Sequence, residues 1–301
     1  MKKTKYDVNS DFRTLKGFKP PLNFFTVFLA RAFWWLVPKG KKHAEVKETV
    51  MKVRSKDGRK VKVIFYESKD SVGVKQPCLL YFHGGAFVYS AIWHHYRCAR
   101  LYARNGVKVA FVDYRLAPRY KYPVGADDCF AVYEYLVKNA DKLNVYGDRI
   151  ALGGDSAGGF YVLSTLKRAE EEKLPPPKAL MMIYPVIDSD EDSYSIKTFV
   201  DTPIWNSRSN KKMWKYYSDG KCPISPFDWD CYENVDEVYI ETAEYDCLRD
   251  RAIELADKLK GEGVNVTLNQ TKGTVHGYDA VFDSEITKES VKMRLSLLRR
   301  I

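Results

Sequence analysis

The sequence lacks several features that would point to particular classes of protein. Its six cysteines form no CxxC pair, which argues against a zinc site. The net charge is +10, from 49 basic and 39 acidic residues, yet no run of five basic residues occurs. No nucleic-acid-binding motif is present either. We therefore interpret the charge as a solvated basic surface, and expect no nucleic-acid partner and no metal.

Signals for secretion and for a membrane span are also missing. The apolar stretch LNFFTVFLARAFWWLV, residues 22–37, is shorter than the ~20 residues that cross a bilayer. It carries Arg31 near its middle and is followed by no small-residue cleavage site. We expect a mostly buried amphipathic helix or a substrate lid, with a helix on a membrane surface as the alternative. The protein is expected to be cytoplasmic, with reduced cysteines.

Apolar runs typical of strands alternate with helical patterns along most of the chain. The predicted strands are 60–68, 77–87, 108–118, 148–154, 178–187, 236–246 and 264–273, and the predicted helices are 126–140, 157–173, 248–260 and 286–300. Several of the strand runs are continuously apolar, as in strands buried on both faces. The pattern predicts an α/β fold with a largely parallel sheet between layers of helices.

Two aromatic-rich segments do not fit this alternation. They are residues 1–45 and an insertion at about 195–222, and we interpret both as a helical cap on a single α/β domain, residues 46–301. Their aromatic side chains are candidates for an apolar substrate pocket. The candidates chosen are Phe28, Trp34, Trp205 and Trp214.

A cluster of glycines surrounds one serine where a predicted strand meets a predicted helix. The string is Gly154-Asp155-Ser156-Ala157-Gly158. A GxSxG string alone is weak evidence, but the strand before it and the helix after it are the context of a nucleophile elbow. In such a bend small neighbours prevent collisions, and the start of the helix aims backbone N–H groups at developing negative charge. We therefore predict that Ser156 is a nucleophile.

A serine nucleophile needs a base and a group that orients the base. His276, in the segment GTVHGYD, is the one histidine that follows Ser156 in the chain, and we predict that it is the base. The acid should lie between them in a loop after a strand. Asp246 comes just past a predicted strand and is our choice, with Asp250 as the runner-up.

An oxyanion hole is expected in the segment YFHGGAF, residues 81–87, which ends another predicted strand. Its glycines let the backbone approach a bound carbonyl closely. The predicted donors are the amides of Gly84, Gly85 and Ala86, together with that of Ala157. His83 is expected to be structural.

Taken together, these motifs resemble the hormone-sensitive-lipase-like carboxylesterases of the α/β-hydrolase fold. The match rests on HGGAF at 83–87, DYRLAPRYKYP at 113–123, GDSAGG at 154–159, EYDCLRD at 244–250 and HGY at 276–278. The resemblance implies a mostly parallel eight-stranded sheet, a helical cap, the same three catalytic residues and no cofactor. It also implies hydrolysis of short- to medium-chain esters. Ala86 departs from the family, which often has a third glycine there.

The sequence therefore predicts a serine carboxylesterase that acts on small-molecule esters through an acyl-enzyme. An amidase or deacylase of the formamidase type, using the same triad, is the alternative. A non-catalytic receptor and a membrane-attached lipase are further rivals. We expect no stable membrane insertion, and the sequence leaves a homodimer open.

Overall fold

The computed structural model describes residues 5–17, 19–20, 22–36 and 43–301. In this part of the chain eight strands form a single sheet. They are β1 (Val46–Arg54), β2 (Lys60–Ser68), β3 (Gln76–Phe82), β4 (Lys108–Asp113), β5 (Val145–Asp155), β6 (Ala179–Ile183), β7 (Glu237–Tyr245) and β8 (Val266–Val275). The helices are α1 (Phe24–Leu36), α2 (Trp93–Arg104), α3 (Val124–Lys138), α4 (Ala157–Glu171), α5 (Tyr194–Thr198), α6 (Ser207–Ser218), α7 (Arg249–Gly261) and α8 (Glu285–Arg300).

The order of the strands in the sheet is β1-β2-β4-β3-β5-β6-β7-β8. Strand β2 runs antiparallel to both of its neighbours, and every pair from β4 to β8 is parallel. All five residues of β6 are buried, so helices and loops cover both faces of the sheet at its centre. The predicted fold, an α/β hydrolase with a mostly parallel eight-stranded sheet, is confirmed.

Two elements, β1 and α2, have no counterpart among the predicted ones. Strand β1 is mostly polar and partly exposed because it lies at the edge of the sheet, beyond β2. Helix α2 has the sequence WHHYRCARLYAR, whose histidines and arginines weaken its apolar pattern. Most of its residues are nevertheless buried against β2 and β4, including His94, His95 and Arg100. Partner side chains supplied by distant parts of the chain make this burial possible.

Helix α1 is found where the apolar stretch 22–37 predicts a helix, but the expectation that it is mostly buried is wrong. Val27 is buried, whereas Phe25 and Phe28 are 67% and 65% exposed. Leu29 and Phe33 are exposed as well. No helix in the described part of the chain is both long and apolar enough to cross a bilayer.

Candidate active site

Ser156 lies at a strained bend between β5 and α4. Its φ of 52° and ψ of −118° are unusual for a residue with a side chain. A Cβ on Gly154 would come within 2.5 Å of the Gly158 backbone, and one on Gly158 would overlap the Phe82 carbonyl oxygen. The Ser156 amide donates to the Ile183 carbonyl oxygen on neighbouring β6 at 2.8 Å. Glycines at these two positions therefore allow the bend to pack against β3 and to hold the serine in place.

The structure brings Ser156, His276 and Asp246 into one hydrogen-bonded chain. The Nε2 atom of His276 lies 2.8 Å from Ser156 Oγ, and its Nδ1 atom lies 2.6 Å from Asp246 Oδ2. The other carboxylate oxygen of Asp246 accepts from the Leu248 amide at 3.0 Å. All three side chains are buried. With the proton of the imidazole on Nδ1, Nε2 is free to accept the proton of the serine hydroxyl.

Asp250, Glu244 and Glu241 also lie between Ser156 and His276, in or soon after β7, but they have partners elsewhere. Asp250, the runner-up, accepts from the Ser195 amide at 2.7 Å and from Arg249 Nε at 2.9 Å. Glu244 accepts from the Gly273 amide at 2.6 Å. Glu241 pairs with the buried Arg294. Of these four acids, it is Asp246 that contacts the His276 ring.

The segment after β3 turns sharply beside Ser156. Gly85, Ala86 and Phe87 all have positive φ, at 125°, 55° and 61°. Only the first is a glycine, and a Cβ there would lie 2.6 Å from the Tyr89 carbonyl oxygen. Ala86 adopts its left-handed conformation despite its side chain, so the missing third glycine does not prevent the turn.

His83 supports this turn from inside the protein. Its ring stacks on Tyr114 with centroids 4.3 Å apart, and its Nδ1 atom lies 2.6 Å from the Gly84 carbonyl oxygen. Burial lowers the pKa of His83 to about 4, and the nearby His95 is the second cause of this shift. The ring is therefore neutral at physiological pH and packs as part of the core.

Asp155 links the serine bend to α2, a contact that the sequence did not reveal. Its carboxylate accepts from Tyr81 Oη at 2.7 Å and lies 3.2 Å from His95 Nε2. Burial by itself would raise the pKa of Asp155, but His95 and the Tyr81 hydroxyl outweigh it and lower the pKa. Across the described residues, no group of three or more histidine, cysteine or acidic side chains could hold a metal ion.

The four aromatic pocket candidates lie in different environments. The Trp205 ring is 6.2 Å from the His276 ring, and Trp214 packs 5.8 Å from Phe87 beside the sharp turn after β3. Phe28 is mostly exposed on α1. The side chain of Trp34 lies outside the described residues.

Comparison of the sequence with known proteins identifies relatives over most of the chain. Residues 79–280 match the profile of a family described as having the alpha/beta hydrolase fold. Esterase LipI of Mycobacterium tuberculosis is 31% identical over 209 residues, which are 67% of this chain and 65% of that protein. The ethyl acetate hydrolase of Pseudomonas putida is 29% identical over 76% of this chain and 74% of its own length. The arylesterase of Saccharolobus solfataricus is 31% identical over 66% of this chain and 67% of its own length.

Solved structures agree with this relationship. A bacterial heroin esterase superposes with a TM-score of 0.87 at 28% identity and covers 98% of both chains. Esterase LipW from Mycobacterium marinum shares the fold with a TM-score of 0.85 at 24% identity, over 97% of this chain and 95% of its own. The fold and the sequence relatives define an α/β hydrolase. The chain belongs to the alpha/beta hydrolase fold family, within which its resemblance to the hormone-sensitive-lipase-like carboxylesterases is confirmed.

The matched segments span about two thirds to three quarters of the length of these curated relatives.

Proposed function

We propose that this chain is a serine carboxylesterase, with Ser156 as the nucleophile, His276 as the general base and Asp246 as the residue that orients the imidazole. The observation that carries the proposal is the hydrogen-bonded chain from Asp246 through His276 to Ser156, with contacts of 2.6 and 2.8 Å. Similar proteins named as esterases support ester hydrolysis as the reaction.

In the acylation step the Ser156 oxygen attacks the carbonyl carbon of the ester. His276 Nε2 takes the hydroxyl proton as the new C–O bond forms, and the carbonyl π electrons move onto the oxygen. The Asp246 carboxylate stays ionised and stabilises the imidazolium through the proton on Nδ1. The tetrahedral intermediate collapses when the C–O bond to the alcohol breaks and His276 donates its proton to the departing oxygen. Water then repeats these steps on the acyl-enzyme.

The oxyanion would be bound by the amides of Ala157, Gly84, Gly85 and Ala86. Ala157 is the first residue of α4, and the first N–H groups of a helix have no partner within it. The turn after β3 would present the other three amides at the same end of the sheet, because β3 and β5 are parallel neighbours. One donor of this kind contributes about 3–4 kcal/mol to stabilisation of the transition state.

The substrate would be a small ester of a short- to medium-chain acid, and no cofactor takes part in this chemistry. Trp205 and Trp214 are buried beside the proposed site and offer apolar surface to an acyl or alcohol group. Phe28, which is exposed on α1, and Trp34 stay predicted pocket residues of an N-terminal cap. Within the insertion at about 195–222, α5 and α6 flank Trp205 in the chain.

The amidase or deacylase alternative uses the same groups but is not favoured, because the relatives are named as esterases, a carboxylesterase and a lipase. A cytoplasmic location is supported by the six cysteines, all of which are free. A homodimer stays a prediction.

Replacement of Ser156 by alanine tests the proposal. We expect kcat for p-nitrophenyl butyrate to fall by about 10⁵- to 10⁶-fold, as for other serine hydrolases that lose the nucleophile. Labelling by a fluorophosphonate should disappear in the same variant. Ser164→Ala, in the same helix and also buried, is the matched control and should keep both properties. Undiminished turnover by Ser156→Ala would refute the assignment, and faster hydrolysis of matched amides than of esters by the wild type would favour the amidase.

A further inference from the structure

A fully buried ionic cluster lies behind the loop that carries His276. The guanidinium of Arg294, on α8, has no exposed surface. Its Nε and Nη2 atoms donate to Glu241 at 3.0 and 2.5 Å, and its Nη1 atom donates to Asp279 at 2.8 Å. Buried charges are retained only when they are paired and hydrogen-bonded, as these are. The cluster therefore forms a rigid support that joins α8, β7 and the segment after β8.

One side chain connects this cluster to the proposed catalytic base. Tyr184 donates its hydroxyl to Asp279 Oδ1 at 2.6 Å, and its ring packs on the imidazole of His276 with centroids 4.7 Å apart. Burial raises the pKa of Tyr184 well above its usual value, so the phenol keeps its proton and remains a donor. Three successive contacts therefore link Arg294 to Asp279, Asp279 to Tyr184, and Tyr184 to the imidazole of His276.

The backbone of Tyr184 is held in an uncommon conformation. Its φ is 34°, a value that is unfavourable for a bulky residue. Its amide donates to the Glu241 carbonyl oxygen at 2.7 Å, which ties the residue to β7. Backbone strain of this kind persists only when the surrounding structure fixes it, and it concentrates at functional sites. Here the strained conformation accompanies the contact of the ring with His276.

We propose that Tyr184 is a positioning residue for His276. Its ring limits the rotation of the imidazole and keeps Nε2 directed at Ser156, and its hydroxyl, held by Asp279 and Arg294, fixes the ring. Trp205, with its ring 6.2 Å from that of His276, adds a second aromatic neighbour. This role rests on the proposed function, because it matters only if His276 is the base.

The test compares two tyrosine-to-phenylalanine variants. Tyr184→Phe keeps the ring but removes its anchor on Asp279, which Arg294 still holds. Tyr239→Phe is the matched control: Tyr239 is equally buried and donates to Glu241 of the same cluster at 2.6 Å. Both variants lose one phenol–carboxylate hydrogen bond, and Tyr239→Phe also loses the bond from Asn269 Nδ2 at 3.0 Å, so its melting temperature should fall at least as far. Glu241 keeps its two contacts with Arg294 in the control, and the cluster should stay in place.

We expect Tyr184→Phe to lower kcat for p-nitrophenyl butyrate about tenfold and to leave KM within about twofold. This is less than the 10²-fold that a 1 Å displacement of a catalytic group costs. The rate of fluorophosphonate labelling of Ser156 should fall by a similar factor, since it also needs the base. Tyr239→Phe should keep both rates within about twofold of the wild type.

Two results would overturn the positioning role: a kcat of Tyr184→Phe equal to that of the wild type, or an equal loss in Tyr239→Phe. These results differ from a failure of the proposed function. That failure would appear as a wild-type protein without hydrolysis or as activity retained by Ser156→Ala.

Discussion

The N-terminal segment and the insertion between β6 and β7 are both rich in aromatic residues, yet they use them differently. In the insertion, Trp205 and Trp214 are 6% and 2% exposed and lie close to the proposed site. In the N-terminal segment, Phe25 and Phe28 on α1 are more than half exposed. Because their composition is similar, the sequence predicts a cap role for both segments. The structure shows that their aromatic side chains differ in exposure.

The insertion is anchored by hydrogen bonds near its start. Ser195, at the start of the insertion, exchanges two hydrogen bonds with Asp250: its amide donates to the carboxylate at 2.7 Å, and its hydroxyl accepts from the Asp250 amide at 3.2 Å. Thr202 donates its hydroxyl to the Trp205 carbonyl oxygen at 2.6 Å. The insertion is thus attached to the segment that follows the proposed catalytic acid, Asp246, and is held by its own polar contacts. These contacts keep Trp205 and Trp214 of the insertion buried.

Described contacts of the N-terminal segment with the rest of the protein lie both before and after α1. Tyr6 donates to Asp201 at 2.6 Å, and Phe12 packs on Tyr278 with ring centroids 5.6 Å apart. On α1 itself Val27 is buried. The difference teaches that a high aromatic content does not by itself assign a segment to a pocket.

The largest expected effect separates the two aspartates at the base of the insertion. Asp246→Asn should lower kcat by about 10⁴-fold, because an amide oriented by Leu248 no longer selects the Nδ1–H tautomer of His276. Asp250→Asn should keep most of the activity, since its carboxylate anchors Ser195 and Arg249. Both are measured with p-nitrophenyl butyrate under saturating conditions. Equal losses in the two variants would mean that the anchor of the insertion matters as much for activity as the proposed catalytic acid.

The next effect concerns stability. Trp214 packs against Phe87, Phe160 and Tyr217, and Trp214→Ala should lower the free energy of unfolding by about 3–5 kcal/mol. Urea denaturation followed by circular dichroism measures the change. A loss below 1 kcal/mol would show that the insertion is loosely packed and would remove the contrast with α1.

A smaller effect is expected at the contact between the two segments. Tyr6→Phe removes the hydrogen bond to Asp201 and should cost about 0.5–1.5 kcal/mol near neutral pH. That bond is the main reason why the pKa of Asp201 is lowered in the folded protein. Burial acts in the opposite direction, and nearby lysines lower the pKa further. A lowered folded-state pKa stabilises the protein above the unfolded value of about 3.9, and this contribution is lost as the pH falls through the folded pKa. The difference between wild type and variant should therefore shrink in acid, and a difference that grows below pH 4 would contradict this account.

The smallest effect is expected on α1. Phe28→Ala should change the free energy of unfolding by no more than about 0.5 kcal/mol, because an exposed side chain loses little contact. The same denaturation experiment measures it, with Trp214→Ala as the reference. A loss of several kcal/mol would place this residue in a packed cap and restore the common interpretation of the two segments.

The sequence predicted the fold and the α/β-hydrolase family because their signals are local. Continuous apolar runs marked most of the strands, and the glycines around Ser156 marked the bend. Chain order and a position after a strand indicated Asp246 and His276, and in the structure the His276 ring lies within hydrogen-bond distance of both Asp246 and Ser156. Their catalytic roles stay predictions that the variants above test.

The contacts that the sequence did not reveal join residues far apart in the chain. Tyr81 and His95 meet at Asp155, and neither carries a local pattern that indicates it. The aromatic neighbours of His276 come from separate segments, at Tyr184 and Trp205. The exposure of the α1 side chains could not be predicted from the sequence either. A helical apolar pattern shows which residues prefer burial but does not show what covers them.

The position of Arg294 has a consequence for synthesis on the ribosome. Glu241 and Asp279 emerge before α8 does, and until Arg294 follows they lack the guanidinium that pairs them in the finished protein. Two carboxylates cannot be buried together at low cost without a cation, so this edge of the sheet should stay loose in the nascent chain. Assembly of the proposed hydrolytic site would then coincide with the arrival of α8, and a chain stalled before α8 should be an inactive, protease-sensitive intermediate.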